Sequence, residues 1–183
     1  MTSIGIFSNS KPNIDECYKN ITSLFIELLC KNSNNKFIFY YGGGNSGLMG
    51  IIAETCIKNN NSIIGVNCNR WKCDIDNRLN RCYYYDGIIE RQNKLIELCE
   101  GYIILPGGVG SMYELFQVLT LNDVGEKNNP IFMLNINNYF KLLIEFIEEC
   151  RRHGTIIKSN EKLKLYIVDD YVELVKVIIE YYK

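Results

Sequence analysis

Histidine is almost missing from the sequence: His153 is the only one among 183 residues. Zinc sites draw on histidines and on CxxC pairs, and the eight cysteines include no CxxC, so no metal site is expected. His153 follows Arg151-Arg152 and precedes Gly154, which reads as a basic helix C-terminus. An excess of charge is also lacking. Twenty Lys+Arg stand against 21 Asp+Glu, a net charge of −1, which leaves no electrostatic footprint for nucleic acid or an anionic membrane surface. No apolar run is long enough to span a bilayer, and Met1-Thr2-Ser3 leads straight into a strand without a signal peptide, so a cytoplasmic protein is expected. Internal repeats, low-complexity stretches and linkers are absent, and the expectation is one domain over residues 1–183.

What is present is apolar and periodic. Hydrophobic residues make up 47% of the chain. Cys17, Cys30, Cys56 and Cys99 fall among apolar residues on expected helices, where a free cysteine acts as a small hydrophobe. The short runs Ile4–Phe7, Phe37–Tyr41, Ser62–Val66, Arg81–Tyr85, Tyr102–Leu105, Pro130–Leu134 and Leu165–Val168 read as strands. Helical spacing marks residues 14–28, 51–56, 88–99, 111–123, 139–152 and 171–182. Strands alternating with helices, with strands apolar on both faces, imply a Rossmann-like, doubly wound, mostly parallel α/β sheet with helices on both sides. The aperiodic stretch from Asn67 to Asp86 reads as a loop over the sheet edge, a lid or substrate-selecting element. The connection from Thr155 to Lys164 is polar.

Right-handed crossovers bring all strand C-termini to one edge, and three anion-friendly turns collect there. The first is Ser8-Asn9-Ser10-Lys11-Pro12, with hydroxyls at Ser8 and Ser10. The second is Gly42-Gly43-Gly44-Asn45-Ser46-Gly47 before a helix. The third is Pro106-Gly107-Gly108-Val109-Gly110-Ser111 after the strand at Tyr102. Glycine lets backbone approach an anion, and the N–H groups of a new helix favour negative charge. Gly42, Gly44 and Gly47 fit GxGxxG spacing, but the next strand ends in Asn67, where a dinucleotide site needs an acidic residue for the ribose. Dinucleotide binding is therefore disfavoured. On this reading Ser111 is an N-cap and Glu114, three residues on, could be its capping-box partner. Arg91 taken by itself reads as part of a solvated helix face.

The stretches Gly42-Gly43-Gly44-Asn45-Ser46-Gly47-Leu48-Met49-Gly50 and Pro106-Gly107-Gly108-Val109-Gly110-Ser111-Met112-Tyr113-Glu114 resemble the GGGxxGLMG and PGGxGTxxE signatures of the Lonely Guy (LOG) family. Its members are cytokinin riboside 5′-monophosphate phosphoribohydrolases, often mislabelled lysine decarboxylases. The resemblance covers nearly the whole chain. It implies hydrolysis of the N-glycosidic bond of a nucleoside 5′-monophosphate resembling AMP, without a cofactor, in a homodimer whose helices around the site pack across a two-fold axis. It also implies Arg91 and Glu114 as catalytic residues. The turn residues would bind substrate: Ser8, Ser10, Gly43, Gly44, Asn45, Gln92, Pro106, Gly107, Gly108, Val109, Gly110 and Ser111. Departures from the family pattern are Ile88, Ile89 and Gln92 for methionine, histidine and lysine, Ser111 for threonine, Asn9 for a glycine, and Leu121 and Asp123 for tryptophan and glutamine.

The chemistry stands without the family. Cleaving a ribosyl C–N bond builds positive charge on the sugar, which a carboxylate at Glu114 stabilises while orienting or deprotonating water. The nearby helix N-terminus is expected to keep Glu114 ionised. Arg91, always protonated, is suited to hold phosphate or ribose oxygens, or to pair with Glu114. Two other classes compete: a nucleotide-binding or carrier module without turnover, and pyridoxal-phosphate decarboxylation. The latter needs a Schiff-base lysine, and neither glycine turn has one.

Overall fold

Side-chain alternation along the strands builds the molecule. In the computed structural model, which describes residues 1–156 and 163–183, Ile103 faces one side of the sheet while Tyr102 and Ile104 face the other. Seven strands form one sheet among the described residues: β1 Thr2–Phe7, β2 Phe37–Tyr41, β3 Ser62–Cys68, β4 Cys82–Tyr85, β5 Gly101–Ile104, β6 Ile131–Leu134 and β7 Leu165–Val168. The helices are α1 Glu16–Ser33, α2 Gly47–Lys58, α3 Ile88–Leu98, α4 Val109–Asp123, α5 Lys141–Arg152 and α6 Tyr171–Tyr181. Ile4, Ile6, Phe39 and Phe132 pack with Phe25 of α1, Ile52 of α2 and Leu174 of α6. On the opposite face Tyr102, Ile104 and Met133 pack with Leu95 of α3, Leu115 and Val118 of α4 and Ile147 of α5.

The strand order is β4-β3-β2-β1-β5-β6-β7, and every pairing is parallel. The chain winds outward from β1 to β4, then crosses back to β5 and winds the other way. Between β1 and β5 the connections leave to opposite faces, α1 to one and α4 to the other, and this divergence opens a crevice at the strand C-termini. The expected Rossmann-like α/β fold is thus observed.

Three local differences have physical reasons. Strand β3 continues through Cys68 because Asn67 and Cys68 pair with Tyr84 and Tyr85 of β4. The segment expected as a loop holds, besides the expected strand β4, a 3-10 stretch, Asn69–Asp74. Helix α4 starts at Val109 with Gly108 as N-cap, so Ser111 lies inside the first turn rather than capping it. Of the polar connection after α5, residues 157–162 lie outside the described residues. No described helix is long and apolar enough to cross a membrane.

Candidate active site

The crevice at the β1/β5 divergence is a cleft of about 660 Å³. From the turn after β1 come Ser8, Asn9, Ser10 and Lys11, and from the turn after β2 come Gly42, Gly44, Asn45 and Ser46. Helix α3 supplies Ile88, Arg91 and Gln92; α4 and its cap supply Gly108, Val109, Gly110, Ser111, Tyr113 and Glu114.

At the back lies a buried ion pair. Arg91 Nη1 donates to Glu114 Oε1 at 2.6 Å and to Gln92 Oε1 at 2.8 Å, while Nε donates to the Val66 carbonyl at 2.8 Å. A guanidinium has only donors, so its neighbour must present the Gln92 oxygen and turn the Gln92 amide nitrogen away. That Nε2 is buried without a partner. Two of these contacts tie α3 to β3 and to α4, and the pair is set by tertiary packing across 23 residues of sequence. Gly42 makes room for it: a Cβ there would stand 2.9 Å from Arg91 Nη2.

The apolar periodicity of α3 points the wrong way at its start. Ile88 and Ile89 are exposed, Ile89 by 65%, whereas Arg91 and Gln92 are buried with Leu95 and Ile96. The solvated-face reading of Arg91 is therefore incorrect. Glu114 is likewise not a capping-box residue, because it is the sixth residue of α4 and pairs with Arg91. Burial pushes its carboxyl above the ordinary range, and Arg91 pulls it only partly back. The expectation that the helix N-terminus simply keeps Glu114 ionised misjudged the larger effect, which is desolvation.

The turns divide into wall and scaffold. In the cap and first turn of α4, the N–H groups of Val109, Gly110 and Ser111 have no intrahelical acceptor, since the first helical bond runs from Met112 to the Gly108 carbonyl. All three residues line the cleft. Facing the same space is Ser8, whose Oγ is buried and without a partner. The triple-glycine turn behaves differently from a free cradle. Asn45 N–H donates to Asp74 O, and the Gly43 carbonyl accepts from Asp76 N–H, so residues 74–76 consume its polar groups. Gly43, Pro106 and Gly107, expected to bind substrate, do not line the cleft. Gly43 packs behind it against Asn67, and the Pro106 carbonyl accepts Asn9 N–H. Asn9 uses its own carbonyl to accept Met49 N–H, so one residue of the first turn braces both glycine turns.

Residues that sequence reasoning did not assign also line the cleft: Asn9, Lys11, Pro12, Met49, Asn67, Trp71, Asp74, Ile88 and Tyr113. Trp71, the sole tryptophan, stands in the aperiodic stretch with the Arg70 guanidinium 4.3 Å over its ring. A lone tryptophan in a polar, aperiodic segment was the available signal. Among the described residues no group of three His, Cys, Asp or Glu is placed to hold a metal ion.

Comparison with known proteins bears on the family and the fold. A cytokinin riboside 5′-monophosphate phosphoribohydrolase of Rhodococcoides fascians is 31% identical over 131 residues, covering 70% of this chain and 66% of the relative. LOG5 of Arabidopsis thaliana, with the same activity name, is 27% identical over 164 residues, covering 86% and 69%. This chain thus spans about two-thirds of their lengths. Among solved structures, a molybdenum cofactor binding protein from Rippkaea orientalis superposes with a TM-score of 0.75 at 14% identity, covering 100% of this chain and 98% of the other. A molybdenum cofactor carrier protein from Chlamydomonas reinhardtii gives 0.70 at 14% identity, covering 98% and 96%. At such identities these structures speak for the fold alone. Residues 49–178 match the family described as "Possible lysine decarboxylase", and with relatives such as LOG5 and LOG1 of Arabidopsis thaliana, the chain belongs to the Lonely Guy (LOG) family.

Proposed function

We propose that this protein hydrolyses the N-glycosidic bond of a purine or N6-modified purine nucleoside 5′-monophosphate, releasing free base and ribose 5-phosphate. The observation that carries the reading is the buried Arg91–Glu114 pair at the back of a cleft rimmed by the free N–H groups of the α4 N-terminus. The activity named for the relatives supports it. The phosphate sits against Val109, Gly110 and Ser111, with Ser8 Oγ as a further donor. That anchor directs the ribose toward Glu114. As the C1′–N bond breaks, positive charge grows on the sugar and the carboxylate faces it. Glu114 accepts a proton from water, whose oxygen bonds to C1′, and hands that same proton to the departing nitrogen of the base, which restores the carboxylate. Arg91 holds Glu114 in place by a charge-assisted hydrogen bond.

The test is a release assay over a panel of nucleoside 5′-monophosphates, including N6-modified adenosine monophosphates, each beside its nucleoside. Free base from the monophosphate in preference to the nucleoside is expected, because the helix terminus contributes binding only when phosphate is present. Equal turnover of AMP and adenosine would sink the assignment, and tight AMP binding with no adenine would identify a carrier module instead. For a pyridoxal-phosphate decarboxylase, the one lysine lining the cleft among the described residues is Lys11, which is exposed and lacks the desolvation that activates a Schiff-base lysine. We propose further that the protein is a homodimer joined through α3 and α4, where Ile88, Ile89, Tyr113 and Phe116 are exposed around the cleft.

A further inference from the structure

The phenol of Tyr139 donates a hydrogen bond to the Gly107 carbonyl at 3.0 Å, a contact 32 residues apart in sequence that closes on the turn before α4. This phenol is held from several sides. Tyr139 follows the 3-10 turn Ile136–Asn138, and its backbone N–H donates to Ile136 O. That turn is locked by Asn135, whose side chain accepts Phe140 N–H and donates to Asp169. The ring stands edge-on to Tyr18 at 5.4 Å and to Phe140 at 5.0 Å.

A planar trans peptide points its carbonyl and the following N–H in opposite directions, and the chain has no cis bond among the described residues. Fixing the Gly107 oxygen on Tyr139 therefore fixes the Gly108 N–H on the other side of the same plane. Gly108 lines the cleft whereas Gly107 does not. Gly107 packs on Ser111, but Gly108 has open space where a Cβ would be, and glycine has the widest range of backbone conformations, so no side chain at 108 helps the Tyr139 hydrogen bond to hold this plane.

We propose that Tyr139 is a positioning residue for the anion site: its hydroxyl sets the 107–108 peptide so that the Gly108 N–H joins those of Val109, Gly110 and Ser111 in facing a phosphate monoester. The proposal rests on reading the cleft as a phosphate-ester site, for which the buried, unpartnered Ser8 Oγ is the independent sign. Tyr139 touches the turn and not the ligand. It acts from behind, in the way an outer partner orients a metal-bound histidine.

The experiment compares wild type with Tyr139→Phe, which removes one oxygen and keeps the ring contacts. Dissociation constants for AMP, ribose 5-phosphate and adenosine are measured by calorimetry, alongside melting curves and steady-state kinetics on AMP. AMP and ribose 5-phosphate should each bind roughly 2- to 10-fold more weakly, the loss of about one net hydrogen bond. Adenosine should bind as before, and KM for AMP should rise with kcat kept, because the phosphate contact is the same in ground and transition states. Unchanged AMP affinity overturns the proposal, and so does equal weakening of AMP and adenosine, which would mark a general structural role. If wild type itself shows no preference for phosphate-bearing ligands, the phosphate-site reading fails first and the role of Tyr139 falls with it.

Discussion

At the scale of single residues, the site is a carboxylate and a guanidinium that each need the other. Burial raises the Glu114 carboxyl and Arg91 draws it part of the way back, so Glu114 holds its proton to a higher pH than a free glutamate. If ionised Glu114 is the base, activity falls as pH drops through that raised value, and the acid limb of kcat/KM for AMP lies above the ordinary glutamate range. A limb at or below that range would contradict the role. Glu114→Gln should keep AMP affinity within a few-fold while base release falls by about 10²–10⁴-fold. It also leaves Arg91 buried without a counter-charge, and a stability loss of about 1–3 kcal/mol should accompany the change. A melting curve separates the two effects. Retained turnover with a lowered melting temperature would make the pair structural only.

Elements rather than residues decide how the turns meet. Helix α2 begins with Gly47 at φ +59°, and a Cβ on it would stand 2.7 Å from the Lys11 carbonyl and 2.9 Å from that of Asn9. The α2 N-terminus and the β1 turn therefore touch backbone to backbone. Gly47→Ala should destabilise the fold by about 1–3 kcal/mol, from left-handed backbone strain and from the clash, and should raise KM for AMP because Asn9 braces both glycine turns. Chemical denaturation with kinetics on the folded fraction checks this; an unaltered midpoint would show that the contact relaxes freely. Strand and helix periods were enough to read the order and type of the elements, since each strand is apolar on both faces. They failed where polar groups are buried. Arg91 is turned inward at the start of α3 because Val66 O and Glu114 accept its hydrogen bonds, with Gln92 Oε1 buried beside it as a third acceptor, and no local pattern reports partners so distant. The two glycine signatures located Glu114, yet placed its helix start at Ser111 when Gly108 already caps it. Tyr139 was legible only as the start of a helical stretch, its contact with Gly107 being a matter of tertiary geometry.

Over the whole molecule, large apolar side chains stand exposed on α3, α4 and α5. Val109 is 88% exposed, and Phe116 of α4 meets Phe146 of α5 edge-on while both remain partly open to solvent. Exposed apolar side chains on neighbouring helices suit a surface that a second subunit covers. Light scattering at micromolar concentration should give twice the mass of the 21.2 kDa chain, and a strictly monomeric species would refute the dimer proposal.

Strand β1 lies between β2 and β5, and that placement governs how the protein is born. Its second neighbour is far along the chain: Ile4 pairs with Gly101, and Ser3 N–H reaches the Glu100 side chain across 97 residues. On a ribosome adding about 5–20 residues per second, one edge of β1 therefore waits roughly 5–20 s for its partner. During that wait the nascent chain carries an open strand edge and no active site, because Ser8, Arg91 and Glu114 come together only after α4 has emerged. Slow translation between residues 41 and 101 should thus lower the yield of native protein more than slow translation after residue 123.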